Sequence, residues 1–209
     1  MSGEATTTES HRLEPEDQAR ADFYALLSRL FAAAPDAALL DALAGADEMV
    51  TAEAGSAIAE AWQRLCAAAA AMDPDAARQE YDDLFVGVGK SEVNLHASYY
   101  VAGFMMEKPL AELRGRLAAM GLAGRDSGVV VEDHLGALCE VMRVMITGHQ
   151  RSGPASVAEQ RQFFESEIAP WFERCCGAID KSQVANFYRS VAEFATEFLR
   201  LEQEAFRIG

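Results

Sequence analysis

The chain of 209 residues carries 33 acidic against 18 basic side chains, a formal charge of -15, and half of its residues are hydrophobic. Such a balance repels phosphate backbones and anionic membranes, which argues against a nucleic-acid partner and favours a basic peptide attracted at long range. No run of about eighteen apolar residues occurs, so no membrane insertion is expected, and the apolar content suffices for one substantial core or two small helical subdomains.

The opening "MSGEATTTESHRLEPED" is polar and acidic where a secretory signal needs a basic start and an apolar run. It predicts a disordered tail over residues 1-15 of a cytoplasmic protein. In "EPEDQARADFYALLSRLFAAAP", Phe23, Leu26, Leu27, Leu30 and Phe31 form a helical stripe that Pro35 ends. Further helices are predicted in "DAALLDALA", "AEAGSAIAEAWQRLCAAAAAM" and "DPDAARQEYDDLF", the last with Asp73 as cap and Pro74 at its first position. The aromatic and small residues of "EVNLHASYYVAGFMM" fit no class cleanly; "EKPLAELRGRLAAMGL" is helical again.

Gly121 to Asp133, "GLAGRDSGVVVED", interrupts the pattern and suggests a hinge. Beyond it Leu135, Leu138, Met142, Met145 and Ile146 trace a second stripe, followed by "SVAEQRQFFESEIAPWFERCC", broken near Pro170, and "SQVANFYRSVAEFATEFLRLEQEAF". Strand periodicity is almost absent. The expected fold is all-α, a bundle of about nine to eleven helices in two halves, 16-122 and 132-209, joined by a hinge at 123-131. Halves joined in this way can exchange between chains, so either a monomer or a domain-swapped dimer is expected.

Candidate chemistry is sparse. Gly89-Lys90-Ser91 in "LFVGVGKSEV" looks like the end of a phosphate-binding loop, but Leu84 stands where that loop needs its first glycine, and the residues before it read as helix rather than strand. A dinucleotide fingerprint fails at Glu92. His11, His96, His134 and His149 contain no i, i+4 pair and no H-E-x-x-H, so no metal ligand is assigned. Ser91 and Ser98 lack a nucleophile-elbow context. Cys66, Cys139, Cys175 and Cys176 have no C-x-x-C spacing and read as buried thiols. No catalytic residue and no cofactor is assigned.

Two constellations are left. Asp133 is expected to cap the helix that follows it, with His134 neutral and hydrogen-bonded or serving a ligand. Tyr81, Leu84 and Phe85 share one helical face, with Glu80, Asp82 and Asp83 on its flanks, a solvated surface that also suits capture of arginine side chains.

The run "EYDDLFVGVGKSEVNLHASYY", then "LAELRGRLAAMGL", "VEDHLGALCEVM", "IAPWFERCC" and the closing "FYRSVAEFATEFLRLE", resembles in order and spacing the TorD/DmsD/NarJ family. These are cytoplasmic all-helical chaperones for molybdenum-cofactor oxidoreductases. The likeness covers most of residues 20 to 205, placing Tyr81, Leu84, Phe85 and Gly87, the Asp133-His134 pair, and Pro170-Trp171 at the family's motif positions. It departs at Glu132, where relatives often have proline, at Glu167, where they often have histidine, and in "NLHASYY". The resemblance implies binding of a client's N-terminal twin-arginine signal peptide and of its immature body, the apo form of a molybdopterin-containing oxidoreductase, so that export waits for cofactor insertion.

A receptor for a basic and then apolar peptide needs acids beside an apolar groove. Glu80, Asp82, Asp83, Glu132 and Asp133 are the expected arginine partners. Tyr81, Phe85, Tyr99, Tyr100, Met105 and Met106 are the expected groove, with Leu84 and His134 completing the site. Alternatives from other classes are a guanine-nucleotide hydrolase using the 87-91 loop and a peptide-interaction domain without chaperone function.

Overall fold

A computed structural model describes residues 13-47, 49, 56-87, 91-102, 108-119, 133-149 and 153-208. Within them lie ten α-helices: α1 (Pro15–Ala32), α2 (Ala37–Ala44), α3 (Ala57–Ala71), α4 (Pro74–Tyr81), α5 (Ala97–Ala102), α6 (Lys108–Ala119), α7 (Leu135–Thr147), α8 (Val157–Glu167), α9 (Phe172–Lys181) and α10 (Phe187–Ile208). A π-helical turn, Asp82–Val86, continues α4. An isolated antiparallel bridge pairs His96 with His134. The fold is all-α.

Local signals set most boundaries. Asp36 accepts the Leu39 N–H at the start of α2, Asp73 accepts those of Asp75 and Ala76 with Pro74 at the first position of α4, and Ser156 and Glu159 form a capping box on α8. The expected break near Pro170 separates α8 from α9. The last helix starts five residues later than its sequence pattern suggests. Ser182 Oγ accepts the N–H groups of Val184 and Ala185 and holds a turn there, so α10 begins at Phe187.

Both predicted stripes are packed. Leu27, Leu30 and Phe31 of α1 and Leu135, Leu138, Met142, Met145 and Ile146 of α7 are buried, and α1 packs most extensively on α7. Gly136 permits that approach, since a Cβ there would lie 2.9 Å from the Ser28 carbonyl oxygen. On another side α10 packs on α3 and α9, with Phe23 in edge or tilted contact with Trp62, Phe194 and Phe198, and Trp62 tilted on Phe194. Helices on either side of residues 123-131 therefore share one core. Each fully buried aromatic or aliphatic side chain contributes roughly 1.5–3 kcal/mol.

Charge is used sparingly inside. Glu202 receives Arg20 in a two-pronged pair at 2.8 and 2.9 Å and the Tyr24 hydroxyl at 3.0 Å, which ties α1 to α10. No helix among the described residues is long and apolar enough to cross a membrane. The hinge residues 123-131, Met105, Met106 and Glu132, and Gly89-Lys90 of the loop all lie outside the described residues.

Candidate functional site

The first constellation grows from the end of α4. Glu80 is buried, and its carboxylate accepts the N–H groups of Asn186, Phe187 and Tyr188 at 2.8, 3.1 and 2.8 Å. Its assignment as an arginine partner is thereby corrected: it caps α10 from 106 residues away in sequence. A helix start leaves about four N–H groups without partners, and a charged acceptor there also meets the positive end of the dipole.

Tyr81 and Tyr188 perform the complementary task at the other end of a helix. Their hydroxyls donate to the Phe31 and Leu30 carbonyls, at 3.1 and 3.0 Å, in the last turn of α1. Both rings pack on Phe85, at 5.2 Å for Tyr81 and 5.0 Å for Tyr188. Burial pushes both phenol pKa values up. Leu84 has no exposed surface. It is core, a correction to its place in a contact surface, and Tyr81 is mainly support for α1.

Asp82 and Asp83 stay exposed, Phe85 is half-buried, and Val86, which sequence reasoning did not select, is 59% exposed. Two residues past Leu84, about 200° of helical rotation, Val86 falls on the side opposite that buried side chain. The segment closes in a π-helical turn, in which the Gly87 N–H reaches the Asp82 carbonyl five residues back, at 2.8 Å. Gly87 then ends the helix at φ 58°, where a side chain would be strained. Gly87, the first residue of the 87-91 loop, is thus a helix terminator.

The second constellation joins α5 to α7. Asp133 does not cap its own helix. Its carboxylate accepts the Ser98 N–H at 3.0 Å, and its backbone oxygen accepts that of Ala97 at 3.0 Å, so both bonds go to α5. His134 caps α7 instead, with Nδ1 accepting the Gly136 N–H at 3.1 Å. Burial first, and the neighbouring His96 second, lower the His134 pKa to about 4. It is neutral near pH 7 with its proton on Nε2, and its accepting nitrogen is occupied within the fold, a correction to its reading as a contact residue. The His96 ring lies edge-on at 5.1 Å, and burial lowers its pKa too.

Tyr100 is half-buried. Its ring stacks on Trp171 at 5.5 Å, Arg174 lies over it at 5.8 Å, and its hydroxyl donates to the Asn94 carbonyl at 2.8 Å. Trp171 is itself buried and donates from Nε1 to the Glu167 carbonyl. Tyr99 and Val101 on the same short helix are 42% and 57% exposed. Val101 and Arg174 escaped the sequence reading. In a stretch whose helical register was undecided, nothing marked which residues face out.

Exposed acids beside exposed apolar side chains can pair with a cation and cover a hydrophobic segment. Among the described residues no three His, Cys, Asp or Glu side chains converge as a metal site requires. Elsewhere, a cleft of about 430 Å³ lies along α9 and α10, and charges on its rim are paired, as Glu173 is with Arg200 at 2.7 Å and Glu193 with Arg64 at 2.9 Å.

The profile of the family described as nitrate reductase delta subunit matches residues 51-177. That span runs from ahead of α3 into α9 and takes in both constellations. No curated protein matches the chain.

Proposed function

From the premise that the chain belongs to the nitrate reductase delta subunit family, whose members are chaperones of molybdoenzyme maturation, we propose that it binds the twin-arginine signal peptide and immature body of a molybdopterin-containing oxidoreductase. Binding in the cytoplasm aids maturation and delays export until the cofactor is in place. The observation that carries this reading is the outer surface of the π-helical turn, where exposed Asp82 and Asp83 adjoin half-buried Phe85 and exposed Val86. A peptide with arginines followed by an apolar stretch is complementary to it in both charge and polarity.

Magnitudes divide the task. Micromolar binding needs about 8 kcal/mol, whereas an exposed arginine–carboxylate pair contributes roughly 0–1 kcal/mol. Burying about 300 Å² of apolar surface supplies roughly 7 kcal/mol before the cost of ordering the peptide. The acids therefore set orientation and attraction while the apolar residues hold the peptide.

Calorimetry with the signal peptide of a molybdoenzyme precursor tests this. Replacing both peptide arginines by alanine is expected to weaken binding and flatten its salt dependence, and Val86→Ser to weaken it at unchanged salt dependence. Unchanged affinity and salt dependence after the arginine replacement exclude Asp82 and Asp83 as partners.

A further inference from the structure

α5 has six residues, too short to be stable alone in water, where about a dozen or more are needed. What orients it comes from across the chain. Asp133 supplies acceptors to its first two N–H groups, one from the carboxylate and one from the backbone, while the Leu135 N–H donates back to the Leu95 carbonyl at 2.8 Å. With the His134 ring capping α7, both helices start from one knot of four hydrogen bonds. On the far side Tyr100 anchors α5 over Trp171. Held between these fixings, α5 presents Tyr99 and Val101 to solvent.

Asp133 is only 4% exposed, and its carboxylate already serves the Ser98 amide. An arriving guanidinium would have to draw this nearly inaccessible carboxylate out of the fold, which would leave the Ser98 amide unsatisfied. A buried donor without a partner costs about as much as the new charged bond returns.

We propose that Asp133 and His134 act in client binding as positioning residues: they aim α5 so that Tyr99 and Val101 meet the apolar stretch of the signal peptide, and they make no contact with the peptide themselves. This rests on the reading of the protein as a signal-peptide receptor. The two roles separate on substitution by asparagine. Asp133→Asn keeps an oxygen for the Ser98 amide and removes the charge; His134→Asn keeps an acceptor near the place of Nδ1. The alanine variants remove the acceptors as well.

The probe is a synthetic signal peptide from a molybdoenzyme precursor of the same cell, titrated at several salt concentrations, with amide exchange at Ser98 followed in each variant. Both asparagine variants are expected to bind within about threefold of wild type, with the same slope of log Kd against log salt. Asp133→Ala, His134→Ala and Tyr99→Ala are expected to weaken binding by about tenfold or more at that same slope, the first with faster Ser98 exchange.

Asp133→Asn that binds as poorly as Asp133→Ala, with a shallower salt slope, makes Asp133 a charge ligand and overturns the proposal. Alanine variants that bind like wild type overturn it as well. Should Asp133→Ala fail to fold, affinity and slope in Asp133→Asn decide alone. A wild-type protein that binds no signal peptide fails at the earlier step and refutes the receptor reading itself.

Discussion

Replacing Glu80 by alanine removes an acceptor shared by three backbone N–H groups at the start of α10. Asn186 is exposed and can turn to water; Phe187 and Tyr188 are buried and cannot. Each buried donor left unsatisfied costs about 1–3 kcal/mol, and loss of the cap about 0.5–2 kcal/mol, overlapping contributions that together give about 3–5 kcal/mol. Stabilities of single domains run to about 5–15 kcal/mol, so a third or more of the total is at stake. Glu80→Gln should cost less, about 1–3 kcal/mol, because one oxygen can still serve the Asn186 and Tyr188 amides that share Oε1. Urea unfolding followed by far-ultraviolet circular dichroism measures both, the expected result being a lower midpoint at unchanged slope. An exposed acid waiting for a peptide arginine would behave otherwise. A loss below about 0.5 kcal/mol in Glu80→Ala, with peptide affinity reduced, refutes the capping role.

Gly136→Ala places a Cβ 2.9 Å from the Ser28 carbonyl oxygen, and a backbone neighbour cannot swing aside; a loss of about 1–3 kcal/mol is expected in the same unfolding assay. His134 gives a pH signature. Its pKa falls from 6.5 to about 4 on folding, so both states are neutral above pH 6.5, and the unfolded chain takes up the proton first as pH drops. Stability contributed above pH 6.5 is thus lost on acidification through pH 4, by about 3 kcal/mol, and His134→Asn should remove that portion of the profile. Alkylation at pH 8 read by mass spectrometry should reach Cys66, which is partly exposed, ahead of Cys139, Cys175 and Cys176, whose thiol pKa values burial raises, for Cys176 to about 11. Prompt labelling of Cys175 would contradict its burial.

Helix type and the faces that pack were legible in the chain because they depend on spacing alone. Phe23 to Phe31 and Leu135 to Ile146 recur at the helical period, and Asp73-Pro74 and Ser156 to Glu159 carry their caps within four residues. The candidate site was legible only as runs of residues. The "EYDDLF" and "EDH" runs drew attention as sequence features, and the acids Asp82 and Asp83 do lie at the surface. The side chains around them were sorted less well. Glu80, two residues before Asp82, is indistinguishable from it in sequence, yet one is buried at a helix start and the other faces water. Val86 faces out because it stands two residues, about 200° of helical rotation, past buried Leu84, and its apolar character gave no sign of that exposure.

By itself the sequence determined an all-helical, strongly acidic chain, the position of most helix starts, and a family likeness strong enough to suggest a client. Those properties are local, or sums over the chain. Tertiary structure decided which polar groups are engaged: Glu80 by α10, Asp133 by α5, Tyr81 by the end of α1. The reason is that a helix end leaves donors or acceptors unsatisfied whose partners need not lie nearby in sequence, and only packing brings a carboxylate or hydroxyl from about 35 to 106 residues away to meet them.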